Sequence, residues 1–540
     1  MAYAEGRFLR VAPVGGGPIV DLPPQEAQIR NLSWRADSRT ILADGYRDAS
    51  GWAVYDIAAR SRSGLWEGRD EPSAIIDDVR ATARAAEWRQ AAWSPDGRSI
   101  AGIVNGRDGQ ELWIAAADGA SARASRLTHR TTSLAWTPGG DIACLSIVDG
   151  RSRITMPCDA AAVRIDGDLD VFGPLAFAPD GRTVYAGVPN AGGTLDLWAI
   201  AIRGGRARRL TSFSRDTYAP SVAADGAVVF KVQSYRTVVA VAPATGGPVA
   251  PLAAFQSETP SWDPTGQWIG ITYGTWRRVV DDAKYPDIAQ DAGIIAADAE
   301  RPAASPARIV HRSVSEDQSL CWSPNGKWIA FHSHQDQSDD IWLRAATEAR
   351  VPVRISFLGR GAETGWPRWS PDGRWLLFDG ANTTTHRPVI YVAGVDQESG
   401  AVTRAPREIE IRGDAGEPSH AEWLGGSATI AVVAKEGPGR HAIFTVGREG
   451  GDARVLYRFA SEHDAPGLAA APDGRAVVFV APAPDGFFQL FRLSVDGGAP
   501  ALITTDPTNK TQPAWSPDGR RLAFTIWSYD AQFWMLRAHP

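Results

Sequence analysis

The chain is poor in several residue types, and each shortage closes off a class of reading. Its 540 residues include 3 cysteines, Cys144, Cys158 and Cys321, with no Cys-x-x-Cys spacing. An odd, sparse set argues against a disulfide framework and against a structural zinc site. Cys144 and Cys158 can pair, but buried free thiols are the expected state. Methionine, also at 3, is too scarce for an adaptable Met-lined groove. No apolar run approaches the ~18 residues of a membrane-crossing helix. The opening Met1-Ala2-Tyr3-Ala4-Glu5-Gly6 carries no basic-plus-apolar export segment. Positive charge is nearly all arginine, interspersed with acid at a formal net charge of −6. That distribution offers no basic stripe for nucleic acid and no basic amphipathic helix for a lipid surface. Neither nucleic acid nor membrane insertion is expected.

Tryptophan is heavily over-used, at 21 residues, and glycine (54) and proline (37) are plentiful. The tryptophans fall in a repeat. Trp93-Ser94-Pro95-Asp96-Gly97 recurs, with Asn325 in place of the aspartate, at 322–326, and again at 369–373 and 515–519. Looser copies begin at Trp136, Phe177, Trp262 and Ala470, and degenerate ones at Trp34, Val222 and Trp423. A spacing of about 40 to 60 residues is that of propeller blades. Each copy reads as an inner strand, a tight Asp-Gly or Asn-Gly turn, a second strand, an Asp-Leu-Trp-like third and an outer fourth. In the seventh, Trp328, Ala330 and His332 alternate against Ile329 and Phe331. That is strand periodicity with no helical period beside it.

The turn, the x-I-A-F-x-S strand and the D-L-W…R-L-T close resemble the TolB-type propeller repeat. That repeat also occurs in the propellers of prolyl-oligopeptidase-like peptidases and of some polysaccharide lyases. The resemblance covers nearly the whole chain and implies an all-β, TolB-like β-propeller of about eleven four-stranded blades. Eleven exceeds the four to eight blades usual in one ring. Two packed propellers are therefore expected, with one large ring as the alternative. Residues 28–255 form the first set of about five blades and 256–540 the second set of about six. The N-terminal strands within 1–27 are expected to close the last blade and remove exposed edges. Insertions at 67–86, with a short helix at 75–84, and at 273–304 interrupt the rhythm.

No Gly-x-Ser-x-Gly elbow is present, and Walker, dinucleotide-binding and His-Glu-x-x-His motifs are missing. Serine-peptidase chemistry is not expected. Three constellations stand out instead. His332 and His334, two apart on a strand, share a face. With Gln335 and with His386 of the next repeat they can ligate manganese, calcium or zinc. The resemblance adds that some TolB-like lyases use a His/Gln manganese site. A polar hairpin tip is the plain alternative. Second, carboxylates precede successive inner strands: Glu258, Glu316 with Asp317, Glu363, Glu417 with His420, and Glu462-His463-Asp464. In a propeller these surround one channel mouth, where they hold a cation or a polyhydroxylated ligand, or remain solvated turn residues. Third, Arg360, Glu363, Trp366 and Arg368 can form an aromatic, bidentate edge for sugar or carboxylate, unless Trp366 only packs between blades.

The function expected is that of a bacterial TolB-like binding platform, periplasmic or secreted, with a cytoplasmic location as the alternative. It would hold a glycan or an envelope protein at the acidic mouth of its second half. The alternative is a metal-assisted carbohydrate lyase or glycoside hydrolase using His332, His334, Glu363 and His463. A regulatory propeller without a peptidase domain is a third reading.

Overall fold

The computed structural model describes residues 2–5, 8–13, 17–23, 29–45, 52–64, 87–106, 109–118, 120–148, 151–167, 169–190, 194–213, 215–252, 257–275, 289–296, 308–311, 317–333, 340–347, 351–358, 364–382, 384–385, 387–413, 416–437, 439–461 and 467–537. Among them every regular element is a strand, arranged in consecutive antiparallel sheets of mostly four strands, with one short parallel pair, Ile411–Arg412 with Gly451–Asp452. The chain is a β-propeller protein. Each of the eleven repeat positions ends an inner strand, from Trp34 in Ile29–Trp34 to Trp515 in Asn509–Trp515. The N-terminal strands Ala2–Glu5, Phe8–Val11 and Val20–Leu22 lack the motif and add a twelfth sheet.

Two compact units divide the chain. The first comprises 1–233 and 531–540, and the second comprises 234–530. The chain leaves the first unit inside the strand Val228–Pro243 and re-enters it inside Arg521–Leu536. The boundary thus falls at 233/234, not at the expected 255/256, and each unit holds six blades rather than five and six. In the second unit the inner strands Glu258–Trp262, Asp317–Trp322, Thr364–Trp369, Glu417–Trp423, Leu468–Ala470 and Asn509–Trp515 adjoin in that order. The last meets the first, so this ring is closed.

The closing element is not the one expected. The last blade, Asn509–Trp515 and the start of Arg521–Leu536, is completed by Val228–Pro243 and Ala250–Pro251. The free edge of Arg521–Leu536 is already covered by that strand. The N-terminal strands instead pack as a separate sheet beside Ile29–Trp34. Part of the second insertion is ordinary blade, since Ala289–Ala296 and Arg308–His311 are its third and fourth strands. The helix expected at 75–84 lies outside the described residues. The cysteines also depart from expectation. Cys144 and Cys158 form a disulfide with Cα atoms 5.0 Å apart, because Cys144 stands in the middle strand of a blade that turns back just after Thr155; Cys321 is free.

The repeat motif is explained by its hydrogen bonds. In the Trp93 copy the Ser94 hydroxyl donates to Asp96 Oδ1 (2.6 Å) and accepts from the Ser99 amide (2.9 Å). Gly97 closes the turn at φ 66°, where a side chain would be strained. The bond from Ser94 also holds the Asp96 carboxyl below its ordinary range. The repeat tryptophan ties blades together. The indole N–H of Trp136 donates to Ala92 O (3.0 Å), that of Trp262 to Ala514 O (3.1 Å), that of Trp423 to Arg368 O (3.0 Å) and that of Trp515 to Ala469 O (3.3 Å). Both faces of a blade are buried. Trp328 and Ala330 pack with Trp369 and Phe378 of the next blade, whereas Ile329 and Phe331 pack with Leu320 and Trp342.

The Asp-Leu-Trp and Arg-Leu-Thr signatures meet in one buried arrangement. Asp340 accepts from Ser356 Oγ (2.6 Å) and pairs with Arg354, while Ser356 Oγ accepts from the Ile341 amide (2.9 Å). Asp196, Arg209 and Thr211 repeat it in the first unit. Removing a buried ion-pair partner strands the other charge. Asp340→Ala is therefore expected to cost about 3–5 kcal/mol in urea unfolding. Lys327→Ala breaks an ion pair to Glu398 whose side chains both face solvent, and it is expected to leave the urea midpoint almost where it was.

Candidate functional site

Four of the six inner strands of the second unit share a distortion, which Ala219 repeats in the first unit. Thr259, Ser319, Trp366 and Gln512, each three residues before the repeat aromatic, have φ of 50°, 54°, 51° and 53°. At each the pairing with the second strand slips by a residue. These are bulges, which bend a strand and re-aim its side chains. A left-handed non-glycine residue is costly alone, so the flanking ladders and the neighbouring blades must hold it. The Thr259 amide donates to Gln512 Oε1 (3.0 Å) and the Ser319 amide to Thr272 Oγ1 (3.2 Å). The scaffold imposes the bulge, and the side chain placed there is free to vary. In Thr364–Trp369 it is a tryptophan.

Around Trp366 the structure gathers a polar cluster from two adjacent blades. His420, in Glu417–Trp423, meets the indole edge-on, with ring centroids 5.1 Å apart at 76°. Arg368 lies 5.9 Å from the Trp366 ring centre and forms a salt bridge to Glu422. His420 Nδ1 stands 3.6 Å from Asp379 Oδ2, an ion-pair contact longer than a hydrogen bond. Asp379 comes from the second strand, Trp375–Ala381, directly opposite Gly365. Its side chain is 15% exposed. Among the described residues neither of its oxygens has a hydrogen-bond partner.

Burial raises the Asp379 carboxyl above its ordinary range, outweighing His420 and Arg368, which pull it down. Burial alone would lower the Arg368 guanidinium; the Glu422 carboxylate more than reverses this and keeps it cationic. The cluster therefore offers a fixed, already neutralised cation, a half-buried aromatic, an imidazole and a carboxylate with acceptor capacity to spare. That set recognises polar ligands. It holds no activated nucleophile.

The expected site residues are placed unevenly. Trp366, Arg368 and His420 are brought together, with His420 inside the inner strand rather than in the connection before it. Glu258, Asp317 and Glu417 are the first residues of three inner strands of the second unit. His332 is buried, at 7% exposure, opposite Gln318 and Ile341. His334, Gln335, Arg360, Glu363, His386, His463 and Asp464 lie outside the described residues. Among the described residues no three His, Cys, Asp or Glu side chains are disposed to hold a metal ion. Sequence reasoning does not single out Asp379, Glu422 or Gly365.

No protein-family model matches the chain, and no curated protein matches it in sequence. Among solved structures it is similar to a TolB-like protein from Agrobacterium tumefaciens, at 18% identity over 55% of this chain and 99% of that one, TM-score 0.41. It is also similar to the tricorn protease, at 10% identity over 89% of this chain and 62% of that one, TM-score 0.33. An oligogalacturonate lyase from Vibrio parahaemolyticus matches at 11% identity over 72% and 96%, TM-score 0.33.

The Asp379 environment has a pH signature. A carboxyl raised in the folded state stabilises most below its unfolded value, and that contribution is lost as pH rises through the folded value. Asp379→Asn removes the buried charge and keeps the shape. Its thermal midpoint is expected to exceed that of the parent at pH 7, by a margin that shrinks toward pH 4. A margin independent of pH in circular-dichroism melts would contradict this account of Asp379.

Proposed function

We propose that the chain is a TolB-like binding platform whose ligand end is the channel mouth of the second unit, and that it binds a glycan or an envelope protein there. The observation that carries this reading is the cluster of Trp366, Arg368, Asp379, His420 and Glu422, built across the inner strands of two blades. It pairs an aromatic surface with oriented polar groups, the usual composition of a small-ligand site. Glu258 and Glu417, at the starts of two inner strands, support an acidic character for this end. An envelope location agrees with the Cys144–Cys158 disulfide, a bond that persists in oxidising compartments. Binding is preferred to carbohydrate hydrolysis because Glu422 is engaged by Arg368, which leaves Asp379 without a second free carboxylate in the described cluster.

The test is binding of the purified chain to an array of neutral and uronic-acid oligosaccharides, with envelope-protein peptides alongside. At least one class is expected to bind, and Trp366→Ala is expected to weaken it at least tenfold, or about 1.4 kcal/mol, with the circular-dichroism melt preserved. Glu417→Gln, at an exposed strand start, is expected to weaken it less. Binding indifferent to Trp366→Ala, or none at all, would refute the reading.

A further inference from the structure

We propose that the hollow beside Gly365, between the inner strands Thr364–Trp369 and Glu417–Trp423, is a subsite for one neutral hexopyranose ring, with Trp366 as its apolar wall and Asp379 accepting ring hydroxyls. The inference rests on the binding reading above and names the ligand class.

Gly365 is the first clue. It is not one of the residues with positive φ, so its backbone conformation does not call for glycine. Beyond its two chain neighbours, a Cβ added there would meet no atom of the described residues within 4 Å. The corresponding positions of the other bulged strands of this unit carry Glu258, Gln318 and Thr511. Glycine inside a strand weakens it, and one recurrent reason for its presence is the close approach of a ligand. Here the residue contributes room.

Asp379 is the second. As the cross-strand partner of Gly365 it stands on the same face of the sheet, beside that room. Its oxygens have no hydrogen-bond partner among the described residues, and buried acceptors ordinarily find one. The charges nearby select the donor. Arg368 is already matched by Glu422, so an anionic ligand finds no free cation among the described residues of the cluster and meets two carboxylates. A cationic ligand would compete with Arg368 and His420, which already face Asp379. Uncharged hydroxyls suffer neither penalty.

Trp366 is the third. It takes the position held by Thr259, Ser319 and Gln512 in the sister blades, and His420 fixes its plane. A half-buried indole is suited to the C–H face of a pyranose, leaving the hydroxyls at its rim for polar partners.

Saturation-transfer NMR on the full chain decides the matter, with the methyl glycosides of glucose, galactose and mannose at about 10 mM. That is roughly tenfold above the Kd of about 1 mM expected of a single small ring. At least one is expected to show transfer. Gly365→Ala, which places a methyl group in the hollow more than 4 Å from any described residue beyond its chain neighbours, is expected to weaken it at least tenfold without lowering the thermal midpoint. Asp379→Asn is expected to weaken it similarly. Transfer unchanged in both variants, or stronger transfer from methyl glucuronoside than from all three neutral rings, would overturn the proposal while leaving a binding platform. Binding only of a cationic peptide would do the same. No binding of any probe would sink both.

Discussion

Four blade boundaries depend on one interaction, the indole N–H of Trp136, Trp262, Trp423 or Trp515 that reaches across to a backbone carbonyl of the neighbouring inner strand. Blades of a propeller are held mostly by apolar packing, which has no direction. A donor on a rigid ring, aimed at a particular carbonyl, fixes the depth at which each blade sits against the last. In the second unit the bond from Trp262 to Ala514 joins the first blade to the last. Phenylalanine supplies the area without the donor, which accounts for tryptophan at 136, 262, 423 and 515. The acceptor must be approachable. The residue that carries it, just before the repeat aromatic, is small almost everywhere: Ser33, Ala92, Ala135, Ala176, Ser221, Ser261, Cys321, Ala469 and Ala514.

The two departures from that rule are Arg368 and Glu422, and they face each other across one blade boundary. The candidate site is thus a local exception to the packing rule of the scaffold. Where other blades meet through small residues, these meet through a buried ion pair, with an imidazole and a carboxylate beside it. Buried charge is a poor way to stabilise an interface, and a left-handed tryptophan adds its own cost. Features that work against stability at one place, on a framework sound elsewhere, are those expected where a protein meets its ligand.

Much of the architecture was legible because blades are written in a periodic grammar. The Trp-Ser-Pro-Asp-Gly turn, the alternating second strand and the Asp-Leu-Trp start each have a local physical cause, so they survive even in copies as worn as the one at Val222. What was not legible depended on long-range pairing. Nothing local tells the strand Arg521–Leu536 to pair with Val228–Pro243 rather than with the N-terminus. The pairing of Cys144 with Cys158 likewise needed the hairpin geometry of their blade. In the site, Trp366, Arg368 and His420 stood out by residue type, whereas Asp379 is hidden in an ordinary second strand and becomes visible only once its register opposite Gly365 is known. The Arg368–Glu422 pair did leave a trace, as two large charged residues in a column of small ones.

The two long strands that pass from one unit to the other carry a consequence for biosynthesis. The second ring is closed by Asn509–Trp515 and Arg521–Leu536, and the far end of that last strand also serves the first unit, where Trp534 packs on Phe213 and Leu536 on the Val228 and Phe230 cluster. Neither unit can finish folding as the chain emerges from the ribosome, since both wait for the same late segment. Until then most blades stand assembled with open edges, a state prone to improper association. One stretch of about thirty residues, from 509 to 536, therefore acts as a common latch. A nascent chain cut short before it would leave the second ring open and strip the first unit of its Trp534 and Leu536 contacts.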